Sequence, residues 1–296
     1  LFNVENTTVE NVNTWGNHLA GVMVYESSGV TIVDSRLKNN GDDESIGDDY
    51  SSVGLLGIRS DSILASGCEF SNNERIGVEL IYSTGCEVTD SEIIDNGRDT
   101  LSSGHQGMGI RVDGDSHSNL FKTNIIKGET IDRQYYGIWL GSSTTGNTIY
   151  DNVFDNDLNA RDLGGAENWN ITKTPGINIL SGNYLGGNRW SDYSGGDTDY
   201  DGLGNTDLPH TADGEIGSGG DFLPLTTSDD WVDDGVPPTI VLVNPAEGMT
   251  LSGDSLTINV SSPDLDVDRW WYVLDNDTDT EFTPGGVGST INGLSE

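Results

Sequence analysis

The sequence predicts an all-β chain in which a right-handed parallel β-helix, a solenoid, is followed by a partial β-sandwich. Three segments, 21–40, 54–73 and 77–96, align with one another without a gap, each from a glycine to an asparagine. Apolar and polar residues alternate within each segment, which is strand patterning, and a repeat of about 20 residues is typical of a solenoid. Short β-rich runs near the end of the chain indicate the sandwich.

The first elements are the coils of the solenoid. A partial coil at 7–17 precedes the three aligned segments, and 109–128 and 137–156 continue them with a slip of one residue. Coils stacked about 4.8 Å apart would turn each apolar column into an internal stack, in which an aliphatic side chain contributes roughly 2 kcal/mol. The apolar columns are Val22, Leu55 and Val78; Val30, Ile63 and Cys86; Ile32, Ala65 and Val88; and Leu37, Phe70 and Ile93.

An asparagine recurs at the end of the coils, in the column Asn40, Asn73, Asn96 and Asn156. We expect a ladder of side-chain amides there, at a tight turn where left-handed backbone geometry suits Asn. A leucine-rich repeat has a similar period, but its leucine signature and helical segment are missing. The sequence therefore favours the β-helix.

The charge composition limits the kinds of partner that the protein can bind. The chain has 49 Asp and Glu against 13 Lys and Arg, a formal charge of -36. Such a surface repels nucleic acid and itself, but salt at about 1 M shortens the Debye length to roughly 3 Å. The balance indicates a halophilic protein, with an ordinary acidic surface protein as the alternative. Cys68 and Cys86 fall in different columns, so a disulfide is possible but not implied.

The coils resemble a known family. They begin with Gly-Val or Gly-Ile and several end in Asn-Asn, and later segments read Asn168-Trp169-Asn170, Gly186 to Tyr193 and Asp221 to Leu225. These features resemble pectate-lyase-like β-helices and, more narrowly, the NosD-like repeats of archaeal surface proteins, over about 1–227. The resemblance implies an exported protein at the cell surface. That family includes a periplasmic protein of copper-site maturation, but three Met, two Cys and four His are a poor set of copper ligands.

Three insertions, 41–53, 97–108 and 129–136, interrupt the repeat at the same corner. Because coils stack in register, the insertions should lie side by side along one edge, and such edges often form the binding surface of a solenoid. Tyrosine rings cover apolar sugar faces, while charged groups bond hydroxyls. We therefore predict binding of a glycan or another cell-surface polymer; solvated loops without a ligand, or a cation among Asp42, Asp43, Asp48 and Asp49, are the alternatives. The predicted ligand-binding residues are Tyr50, Arg98, Asp132, Arg133, Tyr135 and Tyr136.

The same edge offers an enzymatic alternative, a polysaccharide lyase or glycoside hydrolase. Inverting glycosidases need two carboxylates about 6.5 to 9.5 Å apart, which Asp48, Asp49 and Asp99 would supply with His105 beside them. The segment Ser103 to Gly107 resembles the Gly-His-Gly segment of polygalacturonases, but the accompanying Arg-Ile-Lys segment is missing. We therefore assign no catalytic residue. A viral tail spike or a filament subunit, self-associating into a homo-oligomer, is a further alternative.

A calcium-like loop follows the coils. Oxygen-bearing side chains stand at positions 1, 3, 5, 9 and 11 of the loop, with Gly202 at position 6. Leu208 replaces the glutamate of a full EF-hand, so the loop resembles the shorter Asp-rich loops of thrombospondin-type or dockerin-like modules. We predict a structural calcium that pins a cap over the open end of the β-helix. The metal residues are Asp197, Asp199, Asp201, Leu203, Asn205 and Asp207.

The predicted domains are a β-helix over 1–228, capped by 157–228, a linker over 229–236 and a module over 237–296. Runs at 239–243, 255–260 and 270–274 read as strands, and the opening Pro-Pro-Thr-Ile-Val-Leu-Val resembles bacterial Ig-like surface domains. The module is shorter than an Ig-like sandwich of about 100 residues, so we expect a piece of a longer chain, whose other domains are expected partners. No run of 18 apolar residues indicates a membrane span. Asn-x-Ser/Thr sequons at Asn6, Asn170, Asn259 and Asn276 are candidate glycosylation sites.

Overall fold

The structure, a computed structural model, describes residues 1–41, 52–97, 107–130 and 133–226 in full and, beyond these, the backbone of five strands. The chain divides into two compact units, Leu1–Asp230 and Trp231–Glu296. The first unit contains three parallel sheets, and the chain passes through them in a fixed order, once per coil.

Each sheet collects one strand from every coil. Sheet A contains β3 (Ala20–Tyr25), β6 (Val53–Ile58), β9 (Ile76–Ile81), β12 (Met108–Asp113), β15 (Tyr136–Leu140) and β18 (Leu158–Asp162). Sheet B contains β1 (Thr8–Glu10), β4 (Thr31–Val33), β7 (Leu64–Ser66), β10 (Glu87–Thr89), β13 (Leu120–Lys122) and β16 (Thr148–Tyr150). Sheet C contains β2 (Asn13–Thr14), β5 (Arg36–Leu37), β8 (Glu69–Ser71), β11 (Glu92–Ile94), β14 (Ile125–Lys127), β17 (Val153–Asp155) and β21 (Arg189–Trp190). This arrangement is a parallel β-helix, as predicted.

The pairing register confirms the predicted alignment. Leu55 pairs with Val22 and Val78, and Ala65 pairs with Ile32 and Val88. The predicted slip is also present. Ile81 pairs with Asp113 but Val88 pairs with Phe121, so the offset grows by one residue in the turn between them.

The inward columns form one continuous core. Ile32, Leu37, Leu55 and Phe70 have no exposed surface. At the C-terminal end the ring of Trp190 stacks on Phe154 with centroids 4.7 Å apart. An indole of this size covers the last aliphatic layer, which would otherwise face water.

The turns follow one rule, a left-handed residue and then an inward residue. Asn39, Asn72 and Asp95 have φ of 53°, 54° and 55°, and each precedes a buried ladder asparagine. We predicted the ladder asparagine itself in a left-handed turn; the left-handed position is instead the one before it. Asn and Asp tolerate this conformation, because their short side chains hydrogen-bond locally.

The predicted amide ladder is present. Asn40 Nδ2 donates to Asn73 Oδ1 and Asn73 Nδ2 donates to Asn96 Oδ1, both at 2.9 Å. Gln134 takes the next rung, because its Nε2 donates to Asn156 Oδ1 at 3.0 Å and its Oε1 accepts from Asn96 Nδ2 at 3.0 Å. All rungs donate towards the C-terminal end of the β-helix. Such a polarised chain of buried amides strengthens its own bonds.

Two further ladders run through other turns. One consists of Asn119 and Asn147, and it ends on the carboxylate of Glu167. The other consists of Asn124, Asn152 and Asn188. Asn188 N donates to Asp221 Oδ2 at 2.7 Å, so this ladder also ends on a carboxylate.

Beyond the coils, β19 (Thr174–Pro175) and β20 (Tyr184–Leu185) form an antiparallel pair, and a short 3-10 helix spans Ala212–Gly214. In the second unit, β22 (Val241–Asn244), β23 (Ser255–Ser261) and β26 (Ser289–Asn292) form an antiparallel sheet, and β24 (Trp270–Tyr272) pairs with β25 (Thr280–Phe282). The predicted runs at 239–243, 255–260 and 270–274 each overlap a strand. The Ig-like assignment, the linker and the domain bounds stay predictions.

Candidate functional site

The described ends of the three predicted insertions lie at one corner of the β-helix. The insertions connect β5 to β6, β11 to β12 and β14 to β15, and each is therefore the turn from sheet C to sheet A. The corresponding turn between β8 and β9 consists of 72–75 alone. The corner thus closes without an insertion, and the inserted residues are additions to the fold.

The described bases of the insertions lie against one another. A Cβ placed on Gly97 would lie 2.3 Å from Gly107 Cα and 2.7 Å from the carbonyl oxygen of Arg133. Gly97 has φ of 98°, a conformation that glycine adopts without strain. On the neighbouring coil, Ser52 Oγ donates to Glu74 Oε2 at 2.9 Å. The insertions therefore leave the β-helix along one continuous edge, which we call the loop edge.

Three predicted ligand-binding residues lie in the described part of the loop edge. Arg133 Nη1 donates to Asn72 Oδ1 at 2.6 Å. Tyr135 is half-buried and meets Tyr136 edge to face, with centroids 4.9 Å apart. Tyr136 is buried, and its hydroxyl accepts a bond from Arg161 Nη1 at 3.0 Å. The structure thus brings these residues together, and it leaves Arg133 and Tyr135 nearer to solvent than Tyr136.

The other predicted residues of this edge lie outside the described residues. They are the ligand-binding residues Tyr50, Arg98 and Asp132, the candidate acids Asp42, Asp43, Asp48, Asp49 and Asp99, and His105. Their assignments stay predictions.

The sequence did not predict a buried ion pair that the structure shows on sheet A. Glu79 has no exposed side-chain surface, and its Oε1 lies 3.0 Å from Arg111 Nη1, while Arg111 Nη2 lies 2.7 Å from Asp113 Oδ2. The Arg111 guanidinium stands 5.3 Å above the ring of Trp139. Burial raises the pKa of Glu79 to about 7, against the opposing charge of Arg111. In the sequence Glu79 reads as an ordinary polar position of an alternating strand, so nothing marked it.

The calcium-like loop brings three carboxylates together. Asp197, Asp199 and Asp201 each offer an oxygen atom, and these atoms all lie within 4.8 Å of one another. Such a group could hold a metal ion. Burial raises the pKa of Asp197, whose Oδ2 accepts from Gly202 N at 2.6 Å. The ammonium group of Lys173 contacts Asp201.

The remaining predicted metal residues have other contacts. Asn205 Nδ2 donates to Asp199 Oδ1 at 2.7 Å, so its amide belongs to the hydrogen-bond network of the loop. Leu203 is buried and forms an antiparallel bridge with Leu225, which ties the loop to the segment after Asp221. The carboxylate group does not include Asp207. Spacing alone therefore identified the three aspartates but not the arrangement of the other residues.

The candidate glycosylation asparagines and the two cysteines lie in different environments. Asn6 is exposed. The amide of Asn170 is engaged, because its Oδ1 accepts from Phe222 N at 3.1 Å and its Nδ2 donates to the Ile171 carbonyl. Asn259 lies in β23, and Asn276 lies outside the described residues. Cys68 and Cys86 are buried free thiols.

Comparison with known proteins assigns the β-helix to a family. A family model described as "Periplasmic copper-binding protein (NosD)" matches residues 1–195, which include all the coils. No curated protein matches the chain. In the described part of the chain, no helix is long and apolar enough to cross a membrane.

Proposed function

The chain belongs to the NosD family, and from this premise we propose that it is an exported, non-enzymatic structural and adhesive β-helix that binds a glycan or another surface through its loop edge. One observation carries the proposal. Three insertions begin and end at the same corner; the described bases of the second and third touch each other, and the base of the first contacts Glu74 in the uninserted turn between them. A solenoid that adds residues at one corner only concentrates variable side chains on one surface, which is how repeat proteins build binding faces.

The described residues of the loop edge suit hydroxyl-rich polymers. Arg133 already donates one hydrogen bond along the edge, and its guanidinium has further donors for sugar oxygens. Tyr135 offers a ring for an apolar sugar face beside that guanidinium. Because both residues are carried by the turn into β15, the rigid sheet A holds them in place.

The test shortens the insertions. Residues 42–51 and 98–106 are each replaced by a short connection copied from the turn at 72–75, which closes the same corner without an insertion. Both variants should keep their thermal melting temperature and circular dichroism. They should also be retarded less than the full chain in gels containing a neutral glucan or polygalacturonate. Tyr150→Ala, on sheet B, is the control and should be retarded like the full chain. If the shortened and full chains are retarded equally, the insertions do not bind the polymer and the proposal for the loop edge is wrong.

The enzymatic alternative is tested on the same polymers. Release of reducing ends or of unsaturated uronides by the full chain, abolished by Asp49→Asn or Asp99→Asn, would replace adhesion with catalysis. We expect no turnover, at low salt or at about 2 M salt, where screening restores the contact of acidic surfaces with acidic polymers.

Copper does not fit the described donor atoms. Copper sites are built from thiolate, thioether and imidazole groups, whereas Cys68 and Cys86 are buried with their sulfur atoms near backbone carbonyls. His210 faces the carboxylate of Asp192 at 3.3 Å. Among the described residues, the one candidate metal-binding group of His, Cys, Asp or Glu consists of carboxylates alone. We therefore do not transfer the copper of the family's description to this chain.

Carboxylate oxygens favour a hard cation, and we propose that Asp197, Asp199 and Asp201 bind a structural calcium ion. The loop is tied to the segment at 221–225, so an ion here would hold the C-terminal end of the β-helix. Calcium at about 100 times its dissociation constant should stabilise the fold by about 2.7 kcal/mol, seen as a higher melting temperature than in EDTA.

The calcium proposal has a matched pair of variants. Asp199→Asn should abolish the calcium-dependent rise, and Asp213→Asn, at an exposed left-handed position outside the loop, should retain it. Copper(I) and copper(II) serve as comparison ions. Calcium binding without any rise in melting temperature would contradict the structural role.

A further inference from the structure

The turn that follows sheet A carries residue types that its backbone disfavours. Consecutive coils place there Asn3, Glu26, Arg59, Tyr82 and Gly114, all with φ between 47° and 64°. Bulky residues rarely adopt this left-handed conformation, and they pay for it in strain. The turn after sheet C uses Gly16, Asn39, Asn72 and Asp95 for the same conformation. Folding alone therefore does not account for Glu26, Arg59 and Tyr82, and such departures from local preference concentrate at functional positions.

These residues form an exposed line with neighbouring aromatic rings. The Phe2 ring stacks on Tyr25, with centroids 5.0 Å apart and planes 4° from parallel. Arg59 Nη1 donates to the Tyr25 hydroxyl at 3.0 Å, and the Arg59 guanidinium lies 5.8 Å from the Tyr82 ring. Phe2 is 64% exposed and Tyr82 is 53% exposed. The rings and the guanidinium thus follow the β-helix axis over four coils, a span of about 14 Å.

A polar groove of about 380 Å³ runs beside this line. Glu5, Ser28 and Asp61 occupy consecutive coils along it, aligned by parallel bridges. Its lining includes Asn3, Glu5, Glu26, Ser28, Arg59 and Asp61. Carboxylate and hydroxyl groups at one repeat spacing accept hydrogen bonds from a row of ligand hydroxyls, and the adjacent rings offer apolar faces.

We propose that this groove binds a neutral oligosaccharide, with sugar faces against Phe2 and Tyr82 and hydroxyls donating to Glu5, Glu26 and Asp61. Sugars are the ligands that present an apolar face and a row of hydroxyls together. Three carboxylates line the groove against one guanidinium, in a chain of net charge -36. This potential repels uronic acids, sulfated glycans and nucleic acid. The groove is a site separate from the loop edge.

Cellohexaose, mannohexaose and maltohexaose are the probes, with hexagalacturonate as the anionic comparison, each titrated into the full chain by calorimetry. At least one neutral hexasaccharide should bind, and hexagalacturonate should not. Tyr82→Asn should weaken binding about tenfold, the value of one aromatic contact. The same substitution should preserve or raise the melting temperature, because Asn suits a left-handed turn. Phe2→Ala should weaken binding similarly, and Tyr150→Ala should leave it unchanged.

Three results would overturn the inference: no neutral hexasaccharide binds, Tyr82→Asn binds as tightly as the native chain, or hexagalacturonate binds more tightly than the neutral sugars. Arg133→Ala and Tyr135→Ala distinguish this groove from the loop edge. Loss of binding in these two variants, with Tyr82→Asn unaffected, would support the loop edge and refute the groove. The opposite pattern would establish the groove while leaving the loop edge without that ligand.

Discussion

Asp221 shows how a single residue ends an internal ladder. It is fully buried, and its Oδ2 accepts from Asn188 N at 2.7 Å and from Trp190 Nε1 at 2.8 Å, while Oδ1 accepts from Leu223 N at 2.9 Å. At the last coil the backbone N of Asn188 and the indole N of Trp190 both need a partner that only accepts. An ionised carboxylate meets this requirement, and Asn does not.

Asp221→Asn should therefore destabilise the fold, although it removes a buried charge. Both oxygens of Asp221 accept hydrogen bonds, so the amide of an asparagine must point its NH2 group at a donor. An unmade buried bond of this kind costs about 1–3 kcal/mol. Urea unfolding at about pH 8, where the carboxyl is ionised, measures the loss, with Asp213→Asn as the exposed control. A variant as stable as the native chain would show that this carboxylate is not required to end the ladder.

At the scale of the element, the C-terminal turn of each coil separates two roles in adjacent residues. Asn40 has no exposed surface; it donates to Asn73 Oδ1 through both its Nδ2 and its backbone N, and its Oδ1 accepts from Asn17 Nδ2. Asn39 is exposed and has φ of 53°. The first residue thus holds coils together, and the second reverses the chain.

Asn40→Ala should cost about 1–3 kcal/mol, because it removes the amide hydrogen bonds to Asn17 and to buried Asn73, whose Oδ1 keeps only the backbone N of residue 40. Asn39→Gly should change stability by no more than about 0.5 kcal/mol, since glycine adopts the left-handed conformation freely. Urea unfolding of the two variants checks this difference. Equal effects would mean that the turn, and not the ladder, supplies the stability.

The elements also show what the sequence could predict. The apolar columns were visible because Val22, Leu55 and Val78 recur in register, and the ladder was visible because Asn repeats. The rung at Gln134 was not predicted from the sequence. In this coil most of the inserted residues come before the rung, whereas in the other two coils they come after the ladder asparagine. The ladder through Asn124 was missed because the earlier coils place Ser91 and Cys68 in that column.

The candidate sites divide in the same way. The spacing of Asp197, Asp199 and Asp201 identified the acidic loop, because a short loop keeps its residues close. The groove at Arg59 and Tyr82 depends on left-handed backbone and on stacking between coils, which residue types alone do not encode. Sequence therefore predicts local arrangements well and long-range surfaces only through the repeat.

For the whole molecule, charge sets the response to salt. A net charge of -36 on a compact fold produces self-repulsion that the expanded unfolded chain largely escapes. We propose that the protein is halophilic, and we expect its melting temperature to rise between about 0.1 M and about 2 M KCl, as screening shortens the Debye length to a few ångströms. A melting temperature that is constant or falls over this range would contradict the halophilic interpretation.

The pH response should follow mainly from the three carboxyl groups whose pKa values burial raises most: Glu79 to about 7, and Asp151 and Asp221 to about 6. Unfolded carboxyls have pKa values near 4. The folded state therefore binds these protons more tightly. Their stabilising contribution is complete below about pH 4 and is lost as the pH rises through 6 to 7.

The urea concentration at the unfolding midpoint should consequently decrease as the pH rises from about 5 to about 8. This is the reverse of ordinary acid denaturation. Glu79→Gln removes the group with the highest of these pKa values. The variant's midpoint should therefore depend less on pH near pH 7, while Asp151 and Asp221 still make it decrease near pH 6. Asp192 acts in the opposite sense: despite its burial, the adjacent His210 ring and a hydrogen bond from Asn159 lower its pKa. Its contribution is present above about pH 4 and is lost in more acidic solution, so stability should pass through a maximum near pH 5. A midpoint that rises steadily from about pH 5 to about pH 8 would show that these buried carboxyls do not control the pH dependence of the fold.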